Sequence, residues 1–140
     1  MPGPKGDFVK KSIEELIAKS NEPAYITGEF KCFGSDSLIG KALRELTLEK
    51  KLVRVGVGIY TPARISSSTG NAIPIYSMMQ IAMTAFEKLG FEVDAGSAYR
   101  MLNAGESTQV PMKPIINVGK QKIKRRIGFG RQEVVYERDF

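Results

Sequence analysis

The strongest constraint in this chain is a change of hydrophobic period at Lys50-Lys51. Before it, Ile39, Ala42, Leu43 and Leu46 recur at the spacing of one helix face. That spacing predicts an amphipathic helix that starts at Ser35 and runs up to Lys50-Lys51. After it, Leu52 and Arg54, then Ile59 and Thr61, flank Gly56-Val57-Gly58, which is the pattern of a short β-hairpin. Ser35 stands where an N-cap belongs, because its hydroxyl can accept from a first-turn amide that lacks a helical partner. Ser37, Lys41 and Arg44 fall on the other, wet side of the helix.

Two helical segments precede this unit. Asp7 is the expected cap of the first, whose apolar stripe is Phe8, Val9, Ile13, Leu16 and Ile17. Asn21-Glu22-Pro23 stops it, since proline disfavours helical geometry in the residue before it. Residues 24–33 read as a second, shorter helix with Tyr25, Ile26, Phe30 and Phe33 inward, and Cys32 beside them is expected in the core. Three helices followed by a basic hairpin are the inventory of a winged helix-turn-helix, which we assign to residues 1–65.

The composition of residues 64–71, with Ser66-Ser67-Ser68-Thr69-Gly70, is that of a linker or loop. A second unit is expected over residues 72–140. Residues 77–89 read as a helix with Met79, Ala82, Met83 and Phe86 as its stripe and Gly90 as its C-cap. A short strand is expected over 91–93, a short helix over 97–104, and an extended stretch over 107–114. Strands over 115–118, 121–129 and 133–136, broken by glycines, would make a small antiparallel meander. The expected fold class is α+β: an N-terminal winged helix-turn-helix and a small C-terminal α+β domain with an antiparallel sheet.

Composition narrows the chemistry. The 140 residues carry 21 Lys plus Arg against 15 Asp plus Glu, a formal charge of +6, which favours a polyanionic partner. There is no histidine and one cysteine. Histidine-based triads, histidine-ligated zinc, intrachain disulfides and CxxC metal sites are thereby excluded. No paired carboxylates or glycine-rich phosphate loop accompany Ser107-Thr108-Gln109, so that word is expected to cap backbone groups and not to act on a substrate. We therefore expect no enzyme, no cofactor and no metal. The polar opening around Pro2-Gly3-Pro4-Lys5-Gly6 and the lack of a long apolar run lead us to expect a cytoplasmic protein without a signal peptide or membrane partner.

The candidate DNA contacts are Ser35, Ser37, Lys41 and Arg44 on the helix and Arg54 on the hairpin. Lys and Arg reach phosphates or guanine, and Ser reaches phosphates or base edges. A helix face of this kind also arises for solubility alone, and capping already accounts for Ser35. A second basic surface lies downstream: between Lys113 and Arg131 there are seven cations and no acid. As an alternating strand, this segment places Lys122, Lys124 and Arg126 on one face, with Ile123, Arg125 and Ile127 on the other. Lysine on a solvated edge strand also guards against aggregation. Whether the polyanion is DNA or RNA stays open at this point.

The words Lys41-Ala-Leu-Arg-Glu-Leu46, Lys51-Leu-Val-Arg-Val55, Gly58-Ile-Tyr60, Leu89-Gly90, Ser97-Ala98 and Ser107-Thr-Gln-Val-Pro111 resemble the AbiEi-type antitoxins and their small relatives. The resemblance covers nearly the whole chain from about Lys10 and is most specific in the last word. It implies a winged-helix DNA-binding domain followed by an α+β domain that supplies antitoxin activity in type IV systems. It further implies a repressor acting at inverted repeats, with a homodimer on double-stranded DNA. The alternative partner it implies is a toxin of the nucleotidyltransferase type, neutralised through the C-terminal domain. Relatives often carry arginine just before the Gly-Ile/Leu-Tyr word; here that position is Val57, and Arg54 is the nearer basic residue. Against that resemblance the chain is expected to be a short member, without the longer C-terminal extension of the full-size antitoxins.

Overall fold

A computed structural model describes residues 5–96, 101–102, 104–105 and 114–138. Ser97-Ala98, Lys113, the word at 107–111 and most of the helix expected over 97–104 lie outside the described residues, although Met101 and Leu102 are helical. The described chain is a small α+β protein with three α-helices, one 3₁₀ helix and sheets built largely from antiparallel pairs.

Helix α1 spans Lys5–Ser20 and α2 spans Asp36–Leu48. Asp7 is not the cap of α1; it sits in the first turn, where a carboxylate complements the positive end of the helix dipole. Phe8, expected inward, is exposed. Ser35 does cap α2, its hydroxyl accepting from the Leu38 amide at 3.3 Å. Ile39, Ala42, Leu43 and Leu46 are buried against Val9, Ile13, Tyr25, Phe30 and Leu52 in one apolar cluster.

The segment expected as a second α-helix divides in two. Tyr25–Ile26 forms strand β1, and Thr27–Phe33 forms the 3₁₀ helix. Strand β1 lies antiparallel to a hairpin strand, with Tyr25 opposite Tyr60 and Ile26 opposite Ile59. In a 3₁₀ helix, residues three apart eclipse one another. Phe30 and Phe33 therefore share a side and stack with centroids 6.4 Å apart, while Cys32 turns outward and is exposed, contrary to expectation.

Strand β2 spans Leu52–Gly56 and β3 spans Ile59–Ile65, paired antiparallel with a bulge between Arg54 and Gly56. Leu52 joins the α1–α2 cluster, whereas Val53 and Val55 join a second cluster with Ile81, Phe86, Ile116, Ile123 and Ile127. The hairpin is thus buried on both faces near its base. The 66–71 segment, expected as a linker or loop, is a tight loop: Ala72–Pro74 returns as β4 against the end of β3. Ser66 and Asn71 close it, the Ser66 amide donating to the Asn71 carbonyl at 2.8 Å. Hydroxyls of Ser66 and Thr69 accept from the amides two residues on, which is how serine and threonine favour turns.

Helix α3 covers Met78–Leu89, with a Ser77–Gln80 capping box and Gly90 in the left-handed conformation at its end. Its buried side is Met78, Ile81, Ala82, Ala85 and Phe86; Met79 and Met83, expected at the centre of the stripe, are half-buried. The helix is apolar around much of its circumference, so its sequence leaves the rotation open.

Strand β5 is Asp94–Ala95, β6 is Ile115–Gly119, and β9 is Val135–Arg138; Gly128–Phe129 and Gln132–Glu133 form the small β7–β8 hairpin. The expected strand over 121–129 is reduced to β7, and the expected strand over 91–93 is replaced by β5. β6 pairs antiparallel with β5 and parallel with β9. This parallel pairing replaces the expected meander and leaves residues 121–127 without a ladder partner. The second cluster contains residues from both sides of the 66–71 turn. Among the described residues, no helix is long and apolar enough to cross a membrane.

Candidate nucleic-acid interface

Helix α2 presents Ser37, Lys41 and Arg44 as exposed residues spaced along one face, as four-then-three spacing dictates. Ser35 is exposed too, with its hydroxyl engaged by the cap. Asp36 lies beside them in the first turn, where its charge favours the helix terminus and opposes a nearby phosphate. Glu49 and Lys50-Lys51 then lead into the hairpin. Arg54 is exposed on β2, and its Nε donates to the Gly56 carbonyl at 3.2 Å, which holds the guanidinium against the turn. Tyr60 packs against the α1–α2 cluster.

The downstream basic segment is irregular yet held in place. Ile123 and Ile127 are buried, while Lys122, Lys124, Arg125 and Arg126 are exposed. Alternation therefore fails at Arg125, which was expected on the isoleucine face. Its carbonyl oxygens are taken by donors from β9: Arg138 reaches Gln121 at 2.8 Å and Ile123 at 3.1 Å, and the Tyr136 hydroxyl donates to Arg125. The Val134 amide donates to Ile127 at 2.9 Å. Burial pushes the Tyr136 phenol above its ordinary pKa, against the pull of Arg125 and Arg138. It stays a proton donor at neutral pH.

This strap meets the hairpin tip. Arg125 Nη1 donates to the Val57 carbonyl at 3.3 Å. A Cβ added to Gly56 would lie 2.7 Å from the Arg126 carbonyl oxygen, so the two backbones touch where only glycine fits. Between them runs an open groove of about 410 Å³ lined by Arg54, Val55, Gly56, Val57, Arg126, Gly128, Gly130 and Glu133. Arg126 and Glu133 form a 3.5 Å ion pair in it, with side chains 90% and 58% exposed.

Of the residues selected from sequence, Arg54 and Arg126 are brought to one groove, with Lys122 and Lys124 on the same strap. Ser37, Lys41 and Arg44 make a separate face on α2. Glu133, Tyr136 and Arg138 were not singled out from sequence, and Arg125 was placed on the isoleucine face, because nothing local marks a side chain that serves a distant carbonyl or cation. Among the described residues, no cluster of His, Cys, Asp and Glu could hold a metal.

No curated protein and no solved structure matches the chain. Residues 12–139 match DUF6088, a family of unknown function, and the chain belongs to that family.

Proposed function

We propose that the chain is a DNA-binding transcriptional regulator resembling AbiEi-type antitoxins, a repressor that works by occupying promoter DNA without catalysis. In this reading α1, the 3₁₀ helix and α2 are the three helices of a winged helix-turn-helix. Helix α2 enters the major groove and the β2–β3 hairpin is the wing. One observation carries the reading: the exposed Ser37–Lys41–Arg44 face of α2 runs directly into a hairpin whose Arg54 shares a groove with Arg126. Side chains on a recognition helix read base edges, while cations on the wing and strap neutralise phosphates. One copy offers modest contact area, and two copies on an inverted repeat would supply the remainder.

The test is a titration of the full chain against duplex DNA from upstream of its own gene and against a scrambled duplex, at two salt concentrations. Preference for the upstream duplex that survives higher salt, and disappears with Lys41→Glu and Arg44→Glu, establishes the reading. Equal, salt-labile binding to both reduces the surface to a generic basic one. Binding to neither moves the function to a protein partner such as a nucleotidyltransferase-type toxin.

A further inference from the structure

The groove between hairpin and strap has a chemistry of its own. One wall carries Arg54 and the other Arg126, and its lining between them includes Gly56, Gly128 and Gly130. A side chain at Gly56 or Gly128 would strike backbone at 2.7 Å, the Arg126 and Gln132 carbonyl oxygens respectively. These glycines let backbone pack closely here, and the charged side chains of the lining are two guanidinium ions and one carboxylate, Glu133. The Gly56 carbonyl in this lining, which would repel an anion, is taken by Arg54 Nε at 3.2 Å. The groove is open to solvent and its volume of about 410 Å³ exceeds what a lone ion needs.

We propose that this groove seats a phosphate group, with Arg54 and Arg126 as its cations and Glu133 as an internal competitor that the phosphate displaces from Arg126. The Arg126–Glu133 pair is open to solvent at 3.5 Å, and such exposed pairs are weak. A phosphate offers a guanidinium more charge and a better-matched fork than one carboxylate does. Glu133 thereby lowers affinity without closing the site. The phosphate belongs either to the DNA backbone, in which case the proposal deepens the regulator reading and rests on it, or to a free phosphate-bearing molecule.

The test uses the full chain with inorganic phosphate and, separately, the upstream and scrambled duplexes. Phosphate should shift the amide resonances of Gly56, Gly128 and Gly130, and Glu133→Gln should tighten phosphate about 3- to 10-fold, as loss of one exposed charge contact allows. For a backbone phosphate, Arg54→Ala with Arg126→Ala lowers the log–log salt slope of duplex binding by about 0.9. A gain for phosphate with an unaltered duplex slope keeps the site and assigns it to a free ligand. No resonance shifts, together with a Glu133→Gln variant that binds like the parent, overturn the proposal. Failure of the regulator reading looks different: the two duplexes bind alike whatever happens at Glu133. If instead the upstream preference persists while both groove variants are silent, only the groove proposal falls.

Discussion

Arg125 donates through Nη1 to the Val57 carbonyl at 3.3 Å, which ties the tip of the β2–β3 turn to a residue 68 positions later. The hairpin tip and the basic strap are therefore one surface. Each depends on the other for its shape, and the strap depends in turn on side chains of β9.

Tyr136→Phe isolates that dependence. The change keeps the ring, which packs edge-on to Phe86 at 5.9 Å, and removes the hydroxyl that donates to the Arg125 carbonyl. Loss of one such bond should cost about 1 kcal/mol, or roughly 3–6 °C in Tm. Thermal melts by circular dichroism check the stability. Duplex titration of the same variant should show weaker binding at low salt, because Arg125 and Arg126 lose their support.

Lys88 is the corresponding pin for the N-terminal half. It donates to Glu22, to Glu29 at 2.7 Å and to the Ala24 carbonyl at 2.8 Å, and lies 4.6 Å from the Tyr25 ring centre. Lys88→Met leaves two carboxylates without their cation and should cost about 1–2 kcal/mol. Burial opposes the charge on Lys88, but Glu22 and Glu29 outweigh it and hold the pKa above the ordinary 10.5. A raised folded value means the contribution is fully present below the unfolded pKa and is lost as pH rises through the folded one. Melts taken from about pH 9 upward should therefore keep parent and variant apart below the ordinary lysine pKa and begin to converge only above it.

Two glycine substitutions should move stability in opposite directions. At Gly56 the new Cβ would meet the Arg126 carbonyl oxygen at 2.7 Å, so hairpin and strap must separate, at a cost of about 1–3 kcal/mol. At Gly40, inside α2, nothing lies within 4 Å of an added Cβ. There alanine should stabilise by about 0.5–1 kcal/mol, through helix propensity and a less flexible unfolded chain. Urea denaturation of the two single variants distinguishes these signs.

Lys41→Glu with Arg44→Glu should lower affinity for the upstream duplex at least about tenfold, as lost phosphate or guanine contacts are worth about 1–3 kcal/mol each. Both residues are exposed, so Tm should stay within roughly 3 °C of the parent. Fluorescence anisotropy with a labelled duplex reads the first effect and a melt reads the second.

Elements set by neighbours in the chain were legible before any coordinates. Ser35 caps α2, Gly90 ends α3 in the left-handed region, and the period change at Lys50-Lys51 marks the turn from α2 into β2. Each follows from groups within a few residues of one another, which is the range over which capping and periodicity act. Legibility ended where one pattern suited two arrangements. Cys32 beside Phe30 and Phe33 reads as core in an α-helix and as surface in a 3₁₀ helix, and Tyr25–Ile26 reads as helix until β3 supplies its partner.

What the amino-acid sequence determined by itself is the helical character of α1, α2 and α3, the Ser35 and Gly90 caps, the β2–β3 hairpin and a run of cations over residues 113–131. Tertiary structure alone decided that β6 pairs in parallel with β9. This strips residues 121–127 of a ladder partner and leaves Arg138 and Tyr136 to satisfy their carbonyls. It also brought Arg126 beside Arg54. The physical reason is that a helix or tight turn closes its hydrogen bonds within the segment, whereas a strap without a ladder takes them from wherever the fold carries the chain.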